Sequence, residues 1–234
     1  MRVVTWNCQM AFRKKFEVIE ALEPDILVIP ESESPEFLAQ KGAALPWVNH
    51  VWVGENPTKG LSVFARAEFA LTLKPSHEPS HRFVVPVEVT GPEGCFDLYA
   101  FWTQAEKTLS KGYVTHALNA VSQFGEDLRP DTLLLGDFNS SPVFKQNGRK
   151  HVEMVDHLAA HGFSSLYHRF HAQDHGAEDR ATFFLHRHRA KPYHLDYIFC
   201  HDSQDVPPKG FRLGDPDDWL HLSDHMPLIA DFGP

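Results

Sequence analysis

Asn7, Glu31, Asp137, Asn139, Asp196, Asp224 and His225 each close or follow a short apolar run. They lie in the segments T-W-N (5–7), P-E (30–31), G-D-F-N (136–139), L-D-Y-I-F (195–199) and S-D-H (223–225). Carboxylates, amides and an imidazole gathered in one place can position a water molecule and move its protons. Taken singly, each has an ordinary reading. Asn and Asp commonly form turns after strands; Glu31 would serve as a solvated loop acid, and Asp224 would simply end a loop. Their joint occurrence, in this order and at near-regular placement, points to one site.

Such a site needs elements that deliver those residues to a common edge. Arg2 to Trp6 reads as a strand, Phe12, Phe16, Ile19 and Leu22 recur at helical spacing, and Ile26 to Ile29 reads as a strand before Pro30. Strand, helix, strand in so short a span predicts parallel pairing, with both carboxyl ends on one edge. Asn7 and Glu31 then project from that edge. The pattern recurs in Cys95 to Trp102, in a helical face through Leu109, Tyr113, Ala117, Ala120, Val121 and Phe124, and in Leu133 to Leu135 ending at Gly136. Asp137 and Asn139 fall where Glu31 falls in the first unit. Further strands (VWVG, LSVFAR, FVVPVEV) lie between the two units. A helix from about His151 to His161 and a His- and Arg-rich connection follow, then the strands LDYIFC and PLIADF, separated by a Pro-, Gly- and Asp-rich loop. No linker or low-complexity stretch divides residues 1–234, which read as one α/β domain.

Composition narrows the function. With 22 Lys and Arg against 31 Asp and Glu the formal charge is −9, so the chain is no polybasic nucleic-acid tether. The hydrophobic fraction of 42% supports a sizeable core. No apolar run reaches the roughly 18 residues of a membrane span and no charged-then-apolar leader opens the chain, so a membrane partner is not expected. Cys8, Cys95 and Cys200 are an odd number without C-x-x-C spacing, and they read as buried free thiols in a reducing, cytoplasmic setting. Nucleophile-elbow, Walker and dinucleotide-glycine patterns are absent.

On GDFNSSP (136–142), SDHMPL (223–228) and the glycine-led KGLSVFAR (59–66), the sequence resembles the endonuclease/exonuclease/phosphatase superfamily from Trp6 to Phe232. The resemblance implies a four-layer α/β sandwich, two mixed β-sheets packed face to face with helices outside. Layered burial of that kind also suits strands that are short and apolar rather than cleanly alternating. It implies hydrolysis of a phosphodiester by in-line attack of water, Mg²⁺ or Mn²⁺ as cofactor, and nucleic acid, DNA first, as the substrate, with no obligate protein partner. Residue by residue, it assigns Glu31 to the metal with Asn7 beside it and Asp224 near the metal and water. Asp137 would orient or deprotonate the attacking water, Asn139 would hold the phosphate, and Asp196 would pair with a catalytic His225. The chemistry is consistent: a hard dication offsets the repulsion between a phosphodiester and an anionic nucleophile, and Mg²⁺ typically takes only one or two carboxylates. Asp137 and His225 both remain possible takers of the water's proton.

The chain also departs from the family. Trp102 stands where many relatives place a phosphate-contacting histidine, which leaves the leaving-group acid unassigned, with Gln104 and Lys107 as substitutes. His194 stands where an arginine is common. HRHRAKPYH (186–194) reads as a phosphate-facing basic stretch in which His186 and His188 share one face of a strand. His157 and His161, at i, i+4, have a zinc-compatible spacing without a third ligand and read as a satisfied or exposed pair. His168, His171 and His175 read as a polar loop, and Trp47, Trp52 and Trp219 as aromatics near loops that could stack on bases. Two other functions stay open: hydrolysis of a small-molecule or lipid phosphate ester, which the charge of −9 favours, and a non-catalytic phosphate-binding module that keeps the fold.

Overall fold

The computed structural model describes residues 1–104, 112–203 and 207–233. In chain order the first half holds β1 (Arg2–Thr5), α1 (Phe16–Glu20), β2 (Ile26–Ser32), α2 (Pro35–Gln40), β3 (Asn49–Asn56), β4 (Lys59–Ala65), β5 (Ala70–Leu73), β6 (Val84–Gly91) and β7 (Gly94–Trp102). The second half holds α3 (Tyr113–Phe124), β8 (Leu133–Asp137), α4 (Gly148–Ala160), β9 (Phe163–Ser165), α5 (Leu166–His171), β10 (Phe183–Phe184), β11 (Pro192–Tyr193), β12 (Asp196–His201), β13 (Pro208–Leu213), α6 (Pro216–Trp219) and β14 (Leu228–Phe232). Two six-stranded mixed sheets result, ordered β13-β14-β1-β2-β4-β3 and β5-β6-β7-β8-β12-β9. They pack face to face with helices outside.

Both expected parallel pairs form. Val3, Val4 and Thr5 of β1 align with Ile26, Leu27 and Val28 of β2, and β7 runs parallel to β8 with Trp102 beside Asp137. Successive strand residues face opposite ways, and the core divides accordingly. Leu98, Ala100, Leu133, Leu135, Ile198 and Cys200 face the other sheet. Tyr99, Phe101, Leu134, Tyr197 and Phe199 face outward, under Ala117, Ala120, Val121 and Phe124 of α3 and Met154 and Leu158 of α4. By the same alternation Trp102, Asp137 and Asp196 belong to the inward set, at strand ends where the two sheets meet.

Several elements differ from the sequence reading. β2 continues through Pro30 to Ser32, because the strand bulges there: Pro30 pairs with Leu61 and Ser32 with Gly60, leaving Glu31 unpaired at φ 63°. The Pro-, Gly- and Asp-rich loop before PLIADF contains β13, which pairs antiparallel with β14. The helical face expected from Leu109 begins at Tyr113 in the described chain; Leu109 and Lys107 lie outside the described residues. Cys8 and Cys200 are buried, but Cys95 is exposed, at the start of β7 beside the β6–β7 turn. Among the described residues no helix is long and apolar enough to cross a membrane.

Candidate active site

All seven candidate residues gather at one end of the sandwich. Asp196 opens β12 directly opposite Asp137, which closes β8. Asp137 accepts three hydrogen bonds: from the Asn139 backbone N–H on Oδ1, and from Asn7 Nδ2 and Asn139 Nδ2 on Oδ2, each 2.9 Å. His225 presents Nδ1 to Asp196 Oδ2 at 2.9 Å and Nε2 to Asp137 Oδ2 at 3.9 Å and Asp224 Oδ1 at 4.0 Å. Asp196 is fixed in turn by the Thr182 hydroxyl, 2.7 Å from its Oδ2. Glu31, carried out of the ladder by its bulge, lies 3.5 Å from Asn7 Nδ2 and 3.1 Å from Lys59 Nζ. Gln9 donates to Asp224 Oδ2 at 2.7 Å.

The two ends of the Asn7 amide have separate duties. Its Oδ1 accepts the Gln9 backbone N–H at 3.0 Å, and its nitrogen faces Glu31 and Asp137. Asn139 gives its amide hydrogens to Thr103 O and to Asp137. In this arrangement both amides brace Asp137.

Burial divides the acids into two kinds. The side chains of Asp137 and Asp196 are 1% and 3% exposed, whereas those of Glu31 and Asp224 are 19% and 16% exposed. Burial pushes the Asp137 carboxyl up to about 7, opposed by the charge of His225 and reinforced by Asp196. Burial alone would strip the proton from His225, but Asp196 and Asp137 outweigh it and lift the imidazole to about 10. Asp224 is also raised, by burial first, with the charge of Glu31 adding to it. Two partly open carboxylates that repel each other are a fitting donor pair for a hard dication.

The sequence matches the Endonuclease/Exonuclease/phosphatase family over residues 4–225. The chain belongs to that family. Among similar solved structures are an AP endonuclease from Archaeoglobus fulgidus (TM-score 0.73, 16% identity, covering 99% of each chain) and a 3'-5' exonuclease from Neisseria meningitidis (TM-score 0.71, 19% identity, 100% of each). A third is TDP2 from D. rerio complexed with single-strand DNA product (TM-score 0.64, 16% identity, covering 100% of this chain and 99% of that one). No curated protein matches the chain by sequence.

Within this family member the departures have a physical account. Trp102 is 5% exposed, tilts against Phe83, and carries Lys59 Nζ 5.2 Å from its ring centre. The residue at the expected histidine position thus presents a cation–π platform for a lysine. Gln104 gives its backbone N–H to His116 Nδ1. Lys59 and Gln9 escaped the sequence reading; the glycine-led strand signalled β4 but not its lysine, and Gln9 follows a strand end without any motif.

The segment 186–194 does not form the expected strand. β10 and β11 pair, and His186 and Arg187 turn between them with φ of 57° and 56°. Arg187 is committed to Gln9 Oε1 and to the carbonyls of His221 and Leu222, so it holds the loop that holds Asp224 instead of facing a phosphate. Arg189 pairs with Asp217. His161 Nδ1 donates to the His157 carbonyl, 2.8 Å away, as a local pair. Trp47 and Trp219 are core residues, Trp47 bonded to Pro24 O and Trp219 packed on Trp6. Trp52 lies across Gly54 and Gly60, whose missing Cβ atoms make room for its ring. Trp47 and Trp219, being buried, offer no free stacking face. His168 and His175 do not form a loose polar loop: their rings stack at 3.6 Å.

Proposed function

We propose that this chain is a divalent-metal-dependent phosphodiesterase that hydrolyses DNA. The observation that carries the reading is the Asp196–His225 pair aimed at a sealed Asp137, beside the more open carboxylates Glu31 and Asp224. The titles of similar structures name nucleases, and one names a DNA product; those properties belong to those proteins and support the substrate class here.

Glu31 and Asp224 would hold Mg²⁺ or Mn²⁺, which when bound neutralises phosphate oxygens. The chain's own groups do the rest. Asp137, lifted to about 7, takes the proton of the attacking water near neutral pH. His225, lifted to about 10 by Asp196 and Asp137, suits the other role: as an imidazolium it would hold positive charge against the phosphoryl oxygens. Asp196 fixes the imidazole through Nδ1 and keeps it charged. Asn7 and Asn139 keep the Asp137 carboxylate from rotating. Lys59, on Trp102 and beside Glu31, is an exposed cation at the edge of the site.

The test is hydrolysis of supercoiled plasmid beside an aryl phosphodiester and an aryl phosphomonoester, with Mg²⁺, Mn²⁺ or chelator, for wild type and Glu31→Ala. Metal-dependent nicking lost in the variant supports the proposal. Turnover of the small esters alone would replace it with the small-ester reading that the charge of −9 favours. No turnover at all would leave a binding module.

A further inference from the structure

Behind the catalytic loop, histidines from the connection after α4 converge. His168 of α5, His175 and Glu178 offer ligand atoms that all lie within 4.8 Å of one another. His168 Nε2 is already 3.1 Å from Glu178 Oε1, and these two side chains are 9% and 6% exposed. We propose that His168, His175 and Glu178 form a second metal site, separate from the catalytic edge, which takes a transition-metal dication of the zinc class and braces the GDFNSSP loop.

Two imidazoles and a carboxylate are a donor set that zinc accepts and that magnesium, an all-oxygen ion, does not favour. Zinc bonds of about 2.0–2.2 Å place tetrahedral donors roughly 3.4 Å apart, so loading the ion draws in the cluster, now within 4.8 Å, and turns one of the two imidazoles out of their 3.6 Å stack so that both aim in-plane at the metal. Three further observations point the same way. His194 beside it is 3% exposed, its Nδ1 lies 3.1 Å from Arg180 O, and its buried Nε2 has no hydrogen-bond partner among the described residues. Its ring lies edge-on to His168 at 5.7 Å between centres, outside the three-residue ligand cluster but bordering it, so a water would complete four-coordination.

The outer contacts also suit a metal. His168 Nδ1 meets Ser165 Oγ at 2.8 Å, and His175 Nδ1 meets His151 Nε2 at 3.0 Å. Fixing one ring nitrogen in this way orients an imidazole toward an ion. His151 continues to Ser140 Oγ at 2.9 Å, and Ser140 follows Asn139, so the cluster is linked to the loop that carries Asp137. A cavity of about 170 Å³ lined by Ser141, Gly176, Glu178, Arg180 and His194 lies against the cluster and offers an ion a way in.

The test loads the full chain with Zn²⁺ or Co²⁺, removes loose ion by desalting, and measures metal content and visible absorption. Glu31→Ala is run in parallel to exclude the catalytic carboxylates. The expected result is about one zinc per chain in both wild type and Glu31→Ala, and cobalt d–d bands of a four-coordinate site. Glu178→Gln and His175→Ala should each lower retained zinc at least about tenfold, as loss of a ligand does. Chelation should lower the Tm of wild type, with recovery on adding Zn²⁺ but not Mg²⁺. Wild type retaining no zinc and giving no cobalt bands would overturn the proposal without reliance on any variant folding. So would loss of the ion in Glu31→Ala with retention in Glu178→Gln.

Discussion

Asp137 differs from an ordinary surface carboxylate in what it can lose by mutation. Its three donors hold it in place, and its burial keeps proton affinity high enough to accept a proton at neutral pH. Asp137→Asn removes the base, and kcat is expected to fall by roughly 10²–10⁴-fold, with the far-ultraviolet circular dichroism unchanged. In wild type, log kcat/KM should rise as Asp137 ionises near pH 7 and fall as His225 loses its proton near pH 10. Asp196 is the largest influence raising His225, so Asp196→Asn should move the alkaline limb to lower pH as well as lowering kcat. Stability follows the same sign. His225 is raised from 6.5 to about 10 on folding, so its contribution is complete below about pH 6.5 and disappears as the pH climbs through 10. Urea unfolding of Asp196→Asn should therefore show less loss of stability between neutral and alkaline pH than wild type; an equal loss would remove this pair as its source.

At the level of elements, what positions these residues is a bulge, a glycine and a locked turn. Gly136 sits at φ 138° one residue before Asp137, and a Cβ there would lie 2.0 Å from Phe101 O on the neighbouring strand. Gly136→Ala must push β8 away from β7, and a stability loss of at least about 2 kcal/mol is expected in denaturant titration, together with loss of activity as Asp137 shifts. Arg187 acts at longer reach: Arg187→Ala frees Gln9 and the 221–222 backbone, and through them Asp224. Activity titrated with Mg²⁺ should then need several-fold more metal for half its maximum. The two strand–helix–strand units were legible because their apolar periods are strong and Gly or Pro punctuates them; Asn7, Glu31, Asp137 and Asn139 stood out as candidates at those ends, and Asp196, Asp224 and His225 through the family resemblance of their segments. Glu31 was legible as a strand-end acid, but the bulge that aims it was not, since Pro30 reads locally as a stop. β13 was hidden because P-K-G-F-R-L has turn residues in a strand and owes its pairing to β14. The histidine cluster was hidden because His151, His168, His175 and His194 meet only through tertiary packing.

For the whole molecule, a net charge of −9 must be reconciled with a polyanionic substrate. Two effects of salt compete. Screening weakens the long-range repulsion and favours binding, while counterion release by each contacting Lys or Arg favours low salt. The second effect scales with the number of cations free to meet phosphates, and among the described residues at this edge that number is small. Among the described residues at this edge, Arg187 is committed to Gln9 and backbone carbonyls, Arg13 to Glu33 and Lys15 to the Cys8 carbonyl, while Lys59, paired with Glu31 over Trp102, is exposed and can turn to a phosphate. One phosphate contact, from Lys59, would give a slope near −0.9 in log kcat/KM against log salt, or roughly three- to fourfold between about 50 and 200 mM, where a six- to ten-contact protein loses about 10³–10⁵. Lys59→Ala should flatten that slope by about 1 unit. The measurement is kcat/KM on a short DNA at fixed Mg²⁺ over that salt range. A steep slope, unchanged by Lys59→Ala, would mean that the substrate follows a longer basic track than this edge provides, and the contact footprint argued here would be the wrong one.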